Sequence, residues 1–520
     1  MTTYDEVLYP SHSFAQAHPD RLATQALIFG MSPAPLERCR VLELGCGDGG
    51  HLIPVAYNFP GSHFVGVDLA ARPVEKGRAI IADMGLENIR LLQMSIVDFP
   101  ADAGVFDYVI AHGVYSWVPP DVRDRVLSIC GEHLAPDGVA YVSYNVLPGG
   151  HLRRMTREMM LWHAGDAGDP AERVARAQGL LETLAGTLDG SEPFAALLKE
   201  EVERVRRFLP AHLFHDDLSE VNAPIYFHEF VEHAARHDLQ YLAEADYSDM
   251  ATHSLSGQTV EALRRLAGDD LLRLEQYADF IKCRRFRQTL LCRRGVERAE
   301  ERQPDVVRRL YVSSPLSPKS AEPDVRSRAV EEFWGVGAGA LSTDSPLVKA
   351  AALIMGETWP RSVSFGELLS AARLRAGTDG DESTLEEDAQ RLSVILLDAC
   401  ETGVVKLHAH RPNFVTRVSE RPRASGLARA QLRHGSLVTA QSHANVDIKD
   451  ALGRALLLLL DGTRDRAALL AELSARIRSG DIDVGDAAAG APTPEQLLDA
   501  LPAGLERSLE GLANSTLLVA

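Results

Sequence analysis

The chain has 520 residues, with 54 Lys and Arg against 73 Asp and Glu and a formal net charge of −19, a length beyond what one hydrophobic core usually serves. That acidic balance excludes a general nucleic-acid or anionic-membrane binder, which needs a basic face to neutralise phosphate, though a local basic patch is still allowed. Six cysteines, none spaced as C-x-x-C, give neither a disulfide framework nor a zinc site, so a reducing, cytoplasmic setting is expected and no metal is.

The N-terminus, MTTYDEVLYPSHSF, has no basic start followed by an apolar run and does not read as a secretory signal. From Arg40 onward, short apolar runs alternate with helical stretches, the pattern of a Rossmann-like parallel sheet covered on both faces. Strands are expected at 40–44, 63–67, 89–93, 106–111 and 139–144, in runs such as RVLEL, HFVGV and VAYVSY. After Tyr144 the pattern breaks, and a charged helical insertion is expected over 151–234. LQYLAEA at 239–245 and QTLLCRR at 288–294 then read as the last two of seven strands, so 1–150 and 235–297 form one α/β domain. A linker is expected over 298–330, where SSPLSPKSAEPD carries scattered prolines.

Two C-terminal α+β units follow. In 331–420, helices near 345–357, 364–375 and 384–402 precede the strand-like pair VVKLHA and NFVTRV, an order consistent with a winged helix. In 421–520, helices through ALGRALLLLL, after the Asp461-Gly462 turn and near 493–514 lead to a terminal TLLVA strand, a helical or winged-helix-like unit. Gly480 to Pro494 reads as a mobile loop. The longest apolar run, Ala455 to Leu460, falls far short of the ~20 residues that span a bilayer, so no membrane insertion is expected.

The chemistry concentrates at Glu43-Leu-Gly45-Cys46-Gly47-Asp-Gly49, where strand becomes helix. Glycines there allow a sharp turn and close approach to a ligand at a helix N-terminus. The spacing is G-x-G-x-G instead of G-x-G-x-x-G, and Glu43 can face a cationic amino-acid ligand, which favours S-adenosylmethionine over NAD. Asp68, with Leu69 beside it, ends the second strand where an acid accepts ribose hydroxyls. Asp98, after Ser95 and Ile96, is placed for the adenine amino group, with Ile96 and Val97 against the ring. Any one of these, taken singly, reads more readily as a surface carboxylate or turn glycine; their order on successive strand ends is the argument.

These residues carry a resemblance. YPSHSFAQAHPDRLATQALIFGMSPAP before VLELGCGDGGHLIP, then HGVYSWVPP and YVSYNVLPG, resembles bacterial class I methyltransferases with a methyltransferase regulatory domain, a group that includes the rickettsial protein-lysine methyltransferases of outer-membrane proteins. NAPIYFHEFVEHAARHDLQYLAEADY with DFIKCRRFRQTLLCR is similar to the regulatory domain, roughly 215–297. The resemblance covers most of 1–297 and implies cofactor contacts at Glu43, Gly45, Gly47, Asp68, Asp98 and His112. His51 stands where Asn is common, and Gly150 where an aromatic often follows the LPG turn.

In-line methyl transfer needs alignment and an unprotonated nucleophile. Acceptor residues are therefore expected after the fourth and fifth strands: Tyr115, Trp117 and Tyr144 as an aromatic wall for a lysine ammonium, and Asn145 to orient the amine. Trp117 and Tyr144 fit an ordinary core equally well, and His112 fits a backbone hydrogen bond. His12 and His18 lie in a segment that would close over the cofactor as a lid, although solvent-exposed histidines are the more ordinary reading. The expected acceptor is a protein lysine, including those of outer-membrane proteins, or alternatively a small molecule; a homodimer is compatible with the sequence and a nucleic-acid partner is not expected. A non-catalytic binding protein, in which the C-terminal units dominate, is the third reading. KCRRFRQ would meet an acidic partner or its own sheet.

Overall fold

The computed structural model describes residues 3–9, 12–165, 168–188, 193–250, 255–299, 302–335, 339–482 and 493–520. The chain divides into two compact units: Met1–His12, Arg21–Arg78 and Glu87–Arg302 form the first, and Ser13–Asp20, Ala79–Leu86 and Gln303–Ala520 the second.

The first unit is built on one seven-stranded sheet: β1 (Arg40–Leu44), β2 (His63–Asp68), β3 (Ile89–Gln93), β4 (Phe106–Ala111), β5 (Leu134–Asn145), β6 (Leu239–Glu244) and β7 (Phe286–Arg293). Their spatial order is β3-β2-β1-β4-β5-β7-β6. Strands β1 to β5 run parallel, while β7 is antiparallel to both β5 and β6. The order reverses between β1 and β4, and ligands of open α/β sheets bind at such a switch point, beyond the carboxyl ends of the strands. The sheet is therefore the Rossmann-like α/β architecture expected, with β5 starting earlier than 139, at Leu134.

Strand burial explains the apolar runs. Leu42, Leu44, Val109, Ala111 and Val142 are fully buried, packed with Ile129 of helix Pro120–His133 and Phe230 of helix Phe227–Arg236. The stretch between β5 and β6 is helical, as expected: Gly149–Ala164, Pro170–Thr187 and Pro193–Arg207 enclose a core of their own around Met160, Leu181, Leu198 and Phe214. It ends in a π-helical turn, Leu213–Asp217, a feature that recurs at functional sites.

The basic stretch KCRRFRQ folds onto its own unit. Arg287, wholly buried, pairs with Glu244 at 2.5 Å, Glu275 at 2.9 Å and Asp279 at 2.8 Å, and its guanidinium lies 4.0 Å from the centroid of the Phe227 ring. Arg284 pairs with Asp279 at 2.9 Å and Arg285 with Glu200 at 3.2 Å.

In the second unit the structure differs from the expected linker over 298–330. Pro304–Arg309 forms a 3-10 turn, and Tyr311–Ser313 pairs antiparallel with Val363–Ser364 and Lys406–His408. Ser317–Pro318 joins another small sheet with Glu331–Trp334 and Ala340–Thr343. Helices Pro346–Thr358, Phe365–Ala376 and Leu385–Glu401 follow. NFVTRV, at 413–418, is not a strand: its Val415 amide donates to the Leu518 carbonyl at 3.1 Å, and Val415 and Val418 pack against the C-terminal core. Helices Ala451–Leu459, Arg466–Ser479 and Pro494–Asn514 pack through Leu457, Leu469 and Leu509, and Leu518–Val519 pairs with Arg423–Ala424. Most of the segment read as a mobile loop, 483–492, lies outside the described residues. Among the described residues, no helix is long and apolar enough to cross a membrane.

Candidate functional site

The glycine-rich turn leaves β1 at the switch point. Gly45, Gly47 and Gly49 have φ of +75°, +54° and +75°, in a region that L side chains rarely adopt. Gly45 and Cys46 donate to the Val67 carbonyl at 2.7 and 3.1 Å, fixing the turn against β2. A Cβ on Gly47 would meet nothing within 4 Å, so that glycine borders open space, whereas one on Gly77 would lie 2.3 Å from the Asp48 carbonyl. Helix Ala71–Met84 thus packs hard on the underside of the turn, and Lys76 pairs with Asp48 at 2.7 Å.

Glu43 sits at the base of this cradle, 4% exposed. Its Oε2 is buried without a hydrogen-bond partner, and burial, reinforced by Asp68 and Asp48, raises its pKa well above the ordinary value. A carboxylate so placed fits the cationic end of an amino-acid ligand. Asp68 ends β2: its Oδ2 accepts the Gly47 amide and its Oδ1 the Ala70 amide, both at 2.8 Å. Each oxygen keeps a further acceptor site for a vicinal diol. Beyond β3, Ser95 caps the 3-10 turn Ile96–Asp98 by accepting from Val97, leaving Asp98 exposed and Ile96 half-buried. Leu69 is 55% exposed at the mouth of β2. This donor and acceptor set fits S-adenosylmethionine: an acid for its amino group, an acid for its ribose, and an acid and apolar side chains for its adenine.

His112, after β4, bonds the Tyr141 hydroxyl through Nδ1 at 2.8 Å; desolvation lowers its pKa to about 4, so the ring is neutral at ordinary pH.

The residues expected to form the acceptor wall divide between two faces. Tyr144 and Asn145 are consecutive on β5 and point to opposite sides of the sheet. Tyr144 stacks on Phe230 with ring centroids 3.9 Å apart, and its hydroxyl meets Thr289 at 3.0 Å. Tyr115 is buried beside it, with its hydroxyl 2.7 Å from His233 Nδ1. Both belong to the core on that face. Trp117 closes the turn Tyr115–Trp117 and is half-buried. Asn145 faces elsewhere: its Nδ2 donates to Asn222 Oδ1 at 3.3 Å, and Asn222 in turn donates to the Asp216 carbonyl at 3.5 Å.

That chain leads to a group the sequence reading did not single out. Tyr9 hydrogen-bonds the Asp216 carboxyl, which burial raises from 3.8 to about 6 against the pull of Arg153. Tyr4 stacks on His215 at 4.2 Å with the rings 9° from parallel. Burial, then Asp216 and Asp68, push the Tyr4 phenol up to about 12, so Tyr4 lies within electrostatic reach of the cofactor-side acid and of Asp216 alike. The N-terminal segment is tied down on both flanks: Asp5 accepts the Arg72 amide at 3.1 Å, and the Val7 carbonyl meets His215 Nε2 at 2.7 Å. His12 stacks on His212 at 5.8 Å, whereas His18 belongs to the second unit, edge-on to His443 at 4.7 Å. The histidine and acid spacing in HLFHDD, 212–217, is the one sequence signal that could have pointed here.

The two departures also have local explanations. A Cβ on Gly150 would lie 2.8 Å from Pro224, leaving no room for an aromatic ring. His51 is buried at the start of helix Leu52–Asn58.

Three family models match the chain: "Methyltransferase domain" over 41–138, "Predicted methyltransferase regulatory domain" over 210–293, and "PKMT, C-terminal winged helix domain" over 420–517. An uncharacterized protein of Rickettsia prowazekii (strain Madrid E) is 32% identical over 524 residues, covering 99% of this chain and 93% of that protein. A second uncharacterized protein of that strain is 36% identical over 241 residues, 46% of this chain and 96% of its own length. The structure of PKMT2 from Rickettsia typhi in complex with AdoHcy superposes with a TM-score of 0.86 at 28% identity, covering 98% of this chain and all of that one.

Proposed function

Because the chain belongs to the S-adenosylmethionine-dependent methyltransferases that carry a methyltransferase regulatory domain, we propose that its acceptor is the ε-amine of a lysine in a protein. The observation that carries this reading is the hydrogen bond of Tyr9 to the Asp216 carboxyl, with Tyr4 in electrostatic reach of both Asp216 and Asp68. A carboxylate flanked by phenol rings suits a primary ammonium, through charge and cation–π attraction. The likeness to PKMT2 of Rickettsia typhi supports the same acceptor class.

On this reading Glu43 holds the amino-acid end of the cofactor, Asp68 its ribose, and Asp98, Ile96 and Leu69 its adenine. Bound S-adenosylmethionine supplies an electrophilic methyl group. Asp216, with its pKa near 6, takes the proton that the lysine must lose before it can attack. Asn145 and Asn222 hold the π-helical turn in register with the end of β5, and Tyr115 and Tyr144 brace that strand end from the core side. We also place the protein in the cytoplasm, which its six free cysteines favour.

The test is methyl transfer from radiolabelled S-adenosylmethionine, offered separately to purified outer-membrane proteins and to a small-molecule extract of the same cells. Label on lysine of a protein band, lost in Asp68→Ala, is the expected outcome. Label confined to the extract would overturn the lysine reading and leave the methyltransferase intact.

A further inference from the structure

Helices Pro120–His133 and Phe227–Arg236 bring three metal-binding side chains to one point, and we propose that Asp124, His233 and His237 form a site for a first-row divalent transition metal of the zinc class. His233 lies in the last turn of helix Phe227–Arg236 and His237 caps that helix four residues on, so the two follow the same face. Their Nε2 atoms converge on the same Asp124 Oδ1, at 3.0 and 2.8 Å. All three donor atoms lie within 4.8 Å of one another. Zinc bonds of about 2.0–2.2 Å set tetrahedral ligands roughly 3.3 Å apart, so each Asp124–imidazole separation needs to open by only a few tenths of an ångström to seat the ion.

Two further features make this more than a chance meeting of polar groups. The Nδ1 of His233 is buried against the Tyr115 hydroxyl at 2.7 Å. With Nδ1–H donating there, the Nε2 lone pair is directed at the ion, the arrangement that fixes the tautomer of a metal-bound imidazole. Gly131 then sets the spacing of the helices: a Cβ at that position would stand 2.1 Å from the His237 carbonyl oxygen, so glycine is what lets the Asp124 helix come this close.

The ligand chemistry selects the class of ion. Two imidazoles and a carboxylate suit zinc, cobalt or nickel, whereas magnesium and calcium call for an all-oxygen shell. The Asp124 side chain is 58% exposed, which gives the ion a way in, while the imidazoles are 11% and 18% exposed. Three protein ligands leave a fourth tetrahedral position open to water. Occupied, the site pins the two helices together and, through Tyr115, braces the end of β4. Cysteine spacing could not reveal it, since no cysteine takes part.

The test uses the full chain after treatment with a chelator, titrated with ZnCl2 in competition with a chromophoric chelator and with CoCl2 by visible absorption. Wild type is expected to bind one more equivalent of zinc than Asp124→Asn, to give tetrahedral cobalt bands that this variant lacks, and to melt at a higher temperature with zinc present. His237→Gln, at the end of its helix, should weaken that equivalent at least tenfold and serves as the second variant should Asp124→Asn fold poorly. Equal zinc affinity and stoichiometry in wild type and either folded variant, or no binding by wild type, would overturn the site and leave the triad a hydrogen-bonded clamp.

Discussion

The Gly47 amide donates to Asp68 Oδ2 at 2.8 Å, so the tip of the glycine-rich turn and the end of the next strand hold each other in position. Asp68→Ala therefore removes both ribose acceptors and loosens the turn. Hydrogen bonds to charged groups contribute about 1.5–3 kcal/mol each, so affinity for S-adenosylhomocysteine should fall roughly 100-fold or more by calorimetry. Asp68→Asn, which keeps one acceptor oxygen, should lose less. An unchanged Kd in Asp68→Ala would sink the assignment.

Asp216 gives the reaction a pH signature. Its pKa is raised from 3.8 to about 6, so it is ready to accept a proton only above that value, and kcat/KM should climb through a limb near pH 6. Asp216→Asn should abolish that limb and cost on the order of 100-fold in kcat, the scale of one general base. Stability moves the other way: the folded chain binds this proton more readily than the unfolded chain between pH 3.8 and 6, so the contribution of Asp216 declines as pH rises through that window. A limb retained in the variant would assign the proton transfer to another group.

Gly77 tests the floor of the cradle. With a Cβ placed 2.3 Å from the Asp48 carbonyl, Gly77→Ala should cost about 1–3 kcal/mol, as overpacking generally does. Because the displaced backbone is the cofactor turn itself, thermal stability and S-adenosylhomocysteine affinity should fall together. A lower melting temperature with intact affinity would show that the turn does not depend on the helix beneath it.

Arg287 neutralises a buried acidic cluster. Burial raises the pKa of both Glu244 and Asp279, and Arg287 pulls each back down. Arg287→Met removes that cation and its stacking on Phe227. Breaking a buried pair costs about 3–5 kcal/mol, so the melting temperature should drop by roughly 10 °C. The loss should be smaller at low pH, where the abandoned carboxylates can protonate; a loss independent of pH would show that packing dominates.

The parts of this fold that could be read from sequence are those written in short, local patterns. The seven strands show as β-branched and aromatic runs between glycines and acids, and the cofactor turn as three glycines after Glu43. The acceptor side is a different matter, because Tyr4 and Asp216 are more than 200 residues apart and only the folded chain brings them together. Alternation along β5 implies that Tyr144 and Asn145 face opposite ways, but it does not say which face is core. NFVTRV has the alternation of a strand, but its Val415 amide is drawn to the Leu518 carbonyl, about 100 residues further along the chain. In KCRRFRQ the charge run was visible, whereas the buried carboxylates that neutralise it lie on β6 and on helix Leu271–Lys282.

The position of β7 has a consequence for how the protein is born. It lies between β5 and β6, yet about 140 residues separate Asn145 from Phe286. At some 5–20 residues per second, a ribosome needs roughly 7 to 28 s to make that stretch. During that interval the edge of β5 from Ala140 to Asn145 has no partner strand, and an unpaired edge is a template for aggregation. Expression fragments that end between residues 146 and 285 will carry the same open edge permanently, and should be collected as aggregates where the full chain is not.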